Sequence, residues 1–175
     1  MNKAAAHFRT IIRHRHMVIK HCKKAGILRQ GLVHDLSKFS PTEFIPGAEF
    51  YLGNRSPNEG EREKYGYSIA WMHHKGRNKH HFEYWTDYNP QTRVMSAVKM
   101  PIRYVKEMFC DRVAASKIYL KDKYTDSSPL EYFMRSKGTR MIHPETSDFL
   151  EKILRMLEQE GEKKTFEYLK NVKDY

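Results

Sequence analysis

The chain has 175 residues, 39% of them hydrophobic, which is enough for the core of one domain. Its net charge of +11 favours an anionic partner, such as a phosphorylated metabolite, nucleic acid or an anionic membrane surface. No apolar run approaches the roughly 18 residues of a membrane span, and two cysteines without a CxxC spacing exclude a disulfide framework. Because charge interrupts the N-terminal segment, where a secretory signal would lie, we expect a soluble, cytoplasmic protein.

Apolar residues at intervals of three and four predict a helix over residues 3–24 that stops near Gly26. A second helix is predicted over 28–38. The segment 40–43, SPTE, has the residue types of a capping box with proline at the first helical position. It therefore predicts a third helix, which ends near Gly53.

The segment 56–59, SPNE, repeats this start signal and predicts a helix that continues to His74. Glycine and asparagine interrupt the segment HHKGRNKHHFEYW (73–85), which predicts a turn or a broken helix. A new element is predicted to begin at Asn89-Pro90.

Pro101 is predicted to open a long helix to about Lys121, and the polar segment 122–143 is predicted to be a loop with one short helix. Pro144 opens a final amphipathic helix that Gly161 either ends or bends. No alternating β-pattern persists beyond a few residues. The predicted fold class is therefore all-α, with the whole chain as a single domain.

Several ionisable side chains fall where the pattern predicts burial. His14 shares a four-residue spacing with Val18 and Cys22 on the apolar stripe of the first helix. Asp35 follows an apolar pair, and Asp111 lies among core residues of the long helix. A buried carboxylate is costly unless it is paired or binds a metal ion, so these positions suggest a metal site.

The candidate site combines two imidazoles and two carboxylates from three helices, supplied by His14, His34, Asp35 and Asp111. That mixture suits Fe, Mn, Co, Ni or Zn better than Ca or Mg alone, and the absence of thiolate ligands argues against a structural zinc site. The predicted cofactor is one or two divalent transition-metal ions, with Mg²⁺ as a further candidate.

The order of these residues resembles the H…HD…D signature of the HD superfamily of metal-dependent phosphohydrolases. The motifs HDLSKFSPTEF (34–44) and AWxHHKGRNKHHFEYW (70–85) further resemble a bacterial and phage family of uncharacterised HD-like proteins, over roughly residues 10–120. The resemblance implies a five-helix, HD-like bundle as the core, over about 8–121, with a C-terminal helical extension over 122–175.

The resemblance also implies that the four residues of the candidate site are metal ligands and that Asp35 can bridge two ions. Superfamily members with two metals take further histidines from the region between HD and the final Asp, which implies His74 and His80 as additional ligands. His73 and His81 are close alternatives, and the segment that carries them could instead be a solvated basic loop.

One departure from the usual HD-x-x-K pattern is Ser37, which stands before Lys38 where a small apolar residue or glycine is usual. The resemblance implies hydrolysis of a nucleotide or another small phosphoester by a metal-activated water. Asp35 or Asp111 would orient this water. The cations that would stabilise the phosphoryl group are Lys38, Arg77, Lys79 and Arg112. The predicted catalytic residues are Asp35, Lys38, Arg77 and Arg112.

Two other functions stay open. A nucleic-acid-binding module would use the basic surface, with the stacking groups Tyr65, Tyr67, Phe82, Tyr84 and Trp85. A di-iron oxygenase would keep the metals and use dioxygen, so metal identity separates it from a phosphohydrolase. The expected partner is a phosphorylated small molecule, a nucleotide first, with nucleic acid as the alternative.

Overall fold

The computed structural model describes residues 2–175. Within this range the all-α prediction is confirmed, apart from one small hairpin. The helices are α1 (Lys3–Lys24), α2 (Leu28–Val33), α3 (Pro41–Glu49), α4 (Pro57–Tyr65), α5 (Ile69–Lys75), α6 (Ile102–Leu120), α7 (Ser128–Met134) and α8 (Pro144–Asn171). The hairpin consists of β1 (Thr86–Asn89) and β2 (Val94–Ala97). Among the described helices, none combines the length and apolarity that crossing a lipid bilayer requires.

The helix predicted over 28–38 is wrong beyond Val33. α2 ends there, and Leu36–Phe39 form a separate 3-10 turn. Between them Asp35 adopts the left-handed conformation at φ 53°, which an α-helix does not contain and which few residues other than glycine adopt. The His34-Asp35 pair therefore lies in a tight corner between two helical segments.

The predicted capping box at the start of α3 is also wrong. α3 begins at Pro41 as expected, but the Ser40 side chain makes no capping hydrogen bond. Glu43 is buried and accepts hydrogen bonds from two histidines of α5. The helix ends at Glu49, before the predicted end at Gly53. The sequence pattern located the helix start correctly and misassigned the role of its glutamate.

Two further differences lie between residues 56 and 97. The helix predicted to continue to His74 is divided into α4 and α5, because Gly66 takes φ 79° and ends α4. Asn89-Pro90 does not begin a new element, because Asn89 is the last residue of β1. It opens the turn of an antiparallel hairpin, in which Thr86 pairs with Ala97. Each strand has four residues, too few to produce a clear alternating pattern.

The C-terminal half follows the prediction. α6 begins directly after Pro101, α7 is the short helix within 122–143, and Gly161 bends α8. α1 packs against α2, α3 and α6, and α8 packs against α6 and α7. Fully buried side chains of α1, α6 and α8 share one hydrophobic core. Cys22 and Cys110 are free thiols in this core, as predicted.

Gly31 sets the distance between α2 and α1. A Cβ atom at this position would lie 2.7 Å from Cys22 Cβ and 3.3 Å from Ile19 Cα, closer than side chains pack. Since His34 follows shortly after Gly31, this close approach brings the corner next to α1, where His14 lies.

We expect Gly31→Ala to lower the free energy of unfolding by about 1–3 kcal/mol, the usual cost of forcing a methyl group into a packed contact. Chemical denaturation measures the change. Gly138→Ala is the control, because a Cβ atom at Gly138 meets no atom within 4 Å. A Gly31→Ala variant as stable as the wild type would contradict the close packing of α1 and α2.

Candidate metal centre

Three elements bring the predicted ligands of the first group together. α1, the corner after α2, and α6 supply ligand atoms that all lie within 4.8 Å of one another, from His14, His34, Asp35 and Asp111. The Nε2 atom of His14 lies 2.9 Å from Asp111 Oδ1, and the Nε2 atom of His34 lies 3.2 Å from Asp35 Oδ2. Ligands about 2.1 Å from one ion lie roughly 3.0 to 3.5 Å apart, so this spacing fits a metal site.

A second group of ligand atoms shares Asp35 with the first. The imidazoles of His74, His80 and His81 join Asp35 in a set whose ligand atoms also lie within 4.8 Å of one another. His74 and His80 are the predicted members, and the alternative His81 lies with them. His73 is not a member of this set, and its Nδ1–H donates to Glu43.

The Asp35 carboxylate faces both groups. Its Oδ2 atom is turned to His34, whereas its Oδ1 atom lies 3.3 Å from His74 Nε2 and 3.5 Å from His80 Nε2. In the described part of the chain neither oxygen accepts a hydrogen bond. The same holds for four buried Nε2 atoms, those of His14, His34, His80 and His81. The Lys38 ammonium lies beside Asp35 Oδ2. Because buried polar atoms are nearly always paired, the remaining unpaired atoms of this set fit bound metal ions.

Glu107 on α6 orients two of the imidazoles. Its Oε1 atom accepts from His34 Nδ1 at 3.0 Å and lies 3.3 Å from His80 Nδ1. Gln30 donates to the other carboxylate oxygen at 2.8 Å. Donation from Nδ1 leaves the Nε2 lone pair directed at the ligand group, an arrangement found around many metal-bound histidines. Burial would raise the pKa of Glu107, but the hydrogen bonds from both histidines outweigh it and lower the pKa to about 2.

Glu43 has the same role for the second group. Its Oε2 atom accepts from His74 Nδ1 at 2.7 Å, and its Oε1 atom accepts from His73 Nδ1 at 2.7 Å. Asn78 bonds to Ser37 Oγ at 2.8 Å and joins the segment after α5 to the 3-10 turn. The sequence prediction missed both glutamates. It assigned Glu43 to a capping box, and Glu107 lies on an amphipathic helix, where a charged residue is usually solvated.

Arg15 on α1 holds the corner in place. Its guanidinium donates to the backbone carbonyls of His34 and Leu32, the latter at 3.1 Å. These carbonyls lie at the C-terminal end of α2, where backbone acceptors have no intrahelical partner and a cation is favoured. Arg15 was not a predicted site residue, and its contacts depend on a helix end that the sequence did not reveal.

The charges of the cluster favour bound cations. Burial would raise the pKa of the Asp35 carboxyl, but the charges of His34 and Lys38 lower it well below its ordinary value. Burial opposes protonation of His34, but the neighbouring carboxylates of Asp35 and Asp111 raise its pKa. Carboxylates that hold a proton on an imidazole can hold a metal ion in its place. Burial lowers the pKa of His81, which leaves the neutral ring that metal ligation needs.

The predicted cations lie in different places. Lys38 Nζ lies 2.6 Å from Asp35 Oδ2, as an ion pair without hydrogen-bond angles. Arg77 and Lys79 are exposed, and Arg77 donates to the backbone carbonyl of His73 in α5. Arg112 follows Asp111, but its guanidinium lies over the Phe133 ring. Lys38 is thus the predicted cation that contacts a ligand directly.

Of the aromatic residues predicted to stack on nucleic-acid bases, two pack within the protein and three are exposed. Phe82 is buried, and Trp85 packs against Tyr104 with ring centroids 5.5 Å apart. The remaining three are exposed, namely Tyr65, Tyr67 and Tyr84. Base stacking on this surface would therefore depend on these tyrosines.

Comparison with known proteins assigns a family but no activity. Residues 3–156 match DUF5662, described as a family of unknown function, and the chain belongs to that family. All candidate ligands lie within the matched residues. No curated protein and no solved structure matches the chain. The function must therefore be inferred from the geometry.

The shared carboxylate predicts how many ions each variant holds. We expect Asp35→Ala to lose both ions, because Asp35 faces both groups. His14→Ala and His80→Ala should each lose one ion, because each ring belongs to one end of the cluster. Elemental analysis after equilibration with the metal measures this, and circular dichroism checks the helical content. A full metal complement in Asp35→Ala would place the metal site elsewhere.

Glu107 belongs to neither of the two ligand groups described above, but it should still affect metal affinity. We expect Glu107→Gln to weaken metal binding roughly 10- to 100-fold, the usual effect of removing a carboxylate that orients a ligating histidine. Titration calorimetry with Mn²⁺ or Zn²⁺ measures the change. Glu61→Gln is the matched control, since Glu61 is a buried carboxylate bonded to Ser68. Equal affinities in the wild type and Glu107→Gln would remove Glu107 from the site.

Proposed function

We propose that this member of the DUF5662 family is a metal-dependent phosphohydrolase that cleaves a nucleotide or another small phosphoester. The observation that carries the proposal is the Asp35 carboxylate, whose two oxygens face separate imidazoles at 3.2 and 3.3 Å. A shared carboxylate suits a pair of divalent ions, an arrangement common in enzymes that cleave phosphate esters. The resemblance of the H…HD…D order to the HD superfamily supports the same chemistry.

The residues divide into three roles. His14, His34 and Asp111 would hold one ion, the second histidine group would hold the other, and Asp35 would contact both. When bound, the ions would lower the pKa of a coordinated water and polarise a phosphoryl oxygen. The Asp111 side chain is 18% exposed and that of Asp35 is 1% exposed. We therefore assign to Asp111 the role of accepting a hydrogen bond from water that enters the site.

Lys38 supplies positive charge beside the cluster. Burial would lower its pKa, but the carboxylates of Asp35 and Asp111 raise it, so the ammonium is charged at neutral pH. Its side chain is 32% exposed, so it is within reach of a ligand that enters from solvent. In the proposed reaction this ammonium stabilises negative charge on the phosphoryl oxygens.

Metal analysis combined with a substrate screen tests the proposal. The purified protein is analysed for metals and assayed with nucleotides and generic phosphoesters in the presence of Mn, Co, Ni or Mg. Two ions per chain and release of phosphate would support it. Iron with consumption of dioxygen and no phosphate release would favour the oxygenase. A metal-free protein that binds DNA or RNA with a steep salt dependence would favour the binding module.

We expect Lys38→Met to reduce turnover roughly 30- to 1000-fold, because it keeps the aliphatic stem and removes one charge-stabilising group. Steady-state hydrolysis of the best substrate from the screen measures the change. The control replaces Lys163 and Lys164 together by Met. Exposed charges are screened beyond about 8 Å at physiological salt, so this pair should affect turnover little. Unchanged turnover in Lys38→Met would remove Lys38 from the mechanism.

A further inference from the structure

Two arginine side chains from different elements lie over the same buried aromatic ring. Arg112 directly follows Asp111 on α6, and Arg140 follows the 3-10 turn after α7. Their Cζ atoms lie 5.8 and 5.7 Å from the centroid of the same ring, that of the fully buried Phe133. Arg140 Cζ also lies 6.0 Å from the ring of Phe82, the residue after His81. The pair therefore borders the segment that carries the second histidine group.

Each arginine of this pair has a buried N–H donor without a hydrogen-bond partner among the described residues. Arg112 Nε and Arg140 Nη1 are buried, and in residues 2–175 they have no hydrogen-bond partner. The Arg112 guanidinium otherwise contacts Met108 Sδ at 4.0 Å, a weak acceptor. Two like charges with buried, unpaired donors are costly, and an anion that accepts hydrogen bonds from these donors would remove the cost.

In the described structure, Glu83 is not the anion that pairs with these arginine donors. Its charge reaches Arg112 from a distance, but its buried Oε2 atom has no hydrogen-bond partner. Asp111, the residue before Arg112, lies 2.9 Å from His14 in the first ligand group. With Asp111 in that group, Glu83 alone beside two guanidinium groups leaves an excess of positive charge. That excess, together with the free N–H donors, fits an oxyanion, because guanidinium groups bind phosphate oxygens through paired N–H bonds.

We propose that Arg112 and Arg140 form an anion subsite that binds a second phosphate group of the substrate, beyond the one at the metal cluster. This inference rests on the proposed phosphohydrolase function and narrows its substrate class. The substrate is a small phosphoester with at least two phosphate groups, such as a nucleoside diphosphate or triphosphate or a bisphosphate. A monophosphate would leave the arginine pair empty.

Calorimetric titration of the metal-loaded full chain with inorganic pyrophosphate and with inorganic phosphate tests the subsite. We expect Arg140→Gln to weaken pyrophosphate binding roughly 10- to 100-fold, the effect of one lost charged hydrogen-bonding group, and to leave phosphate binding unchanged. Arg112→Gln should also weaken pyrophosphate binding. The matched control is Arg135→Gln, which removes an exposed arginine between α7 and Arg140. Metal content is measured after each titration to exclude stripping by pyrophosphate.

The subsite is overturned if the wild type does not bind pyrophosphate, or if Arg140→Gln binds it as tightly as the wild type does. It is also overturned if Arg140→Gln loses phosphate and pyrophosphate binding equally. Should Arg112→Gln fail to fold, Arg140→Gln alone decides. Pyrophosphate binding that depends on Arg140, in a protein that hydrolyses no phosphoester, would refute the proposed function and retain the anion subsite. Hydrolysis without dependence on Arg140 would refute the subsite alone.

Discussion

The buried carboxylate of Asp35 is the group on which the arrangement of the site depends. An ionised carboxylate in the interior costs several kcal/mol unless its charge is compensated. The rings of His34 and His74 donate from Nδ1 to glutamates, so their Nε2 lone pairs face the Asp35 oxygens. Lone pairs that face one another repel unless a proton lies between them, and a metal ion in the place of that proton makes both atoms ligands. Metal binding would therefore stabilise the folded state of this corner as well as complete the site.

The backbone at the corner is strained, and neighbouring elements hold it. A left-handed conformation at a residue other than glycine costs on the order of 1–3 kcal/mol and persists where surrounding contacts fix it. Here Arg15 binds the carbonyls at the end of α2, and Gly31 lets α2 approach α1 closely. These contacts come from helices rather than from loops. The position of Asp35 is consequently set before any ligand binds.

Helical periodicity revealed the ligands that interrupt an apolar stripe. His14 and Asp111 are polar where the pattern of α1 and α6 predicts apolar residues, and the structure brings both into the cluster. Glu43 and Glu107 gave no such signal, because the first matched a capping position and the second a solvated helix face. The corner at Asp35 depends on tertiary contacts that local propensity does not report. The hairpin has strands too short for periodicity to distinguish from a loop.

The chain and its candidate site carry charges of opposite sign. The net charge is +11, but the cluster holds one ammonium, that of Lys38, and four carboxylates, those of Asp35, Glu43, Glu107 and Asp111. Even with His34 and His74 protonated, since against the effect of burial carboxylates raise the pKa of both rings, these groups leave one negative charge, which would repel a phosphate. With the neutral imidazoles that metal ligation needs, two divalent ions would leave one positive charge. In the proposed function the ions therefore bind before the substrate. The basic surface raises the local concentration of anions, and the arginine pair would keep its anion affinity in metal-free protein.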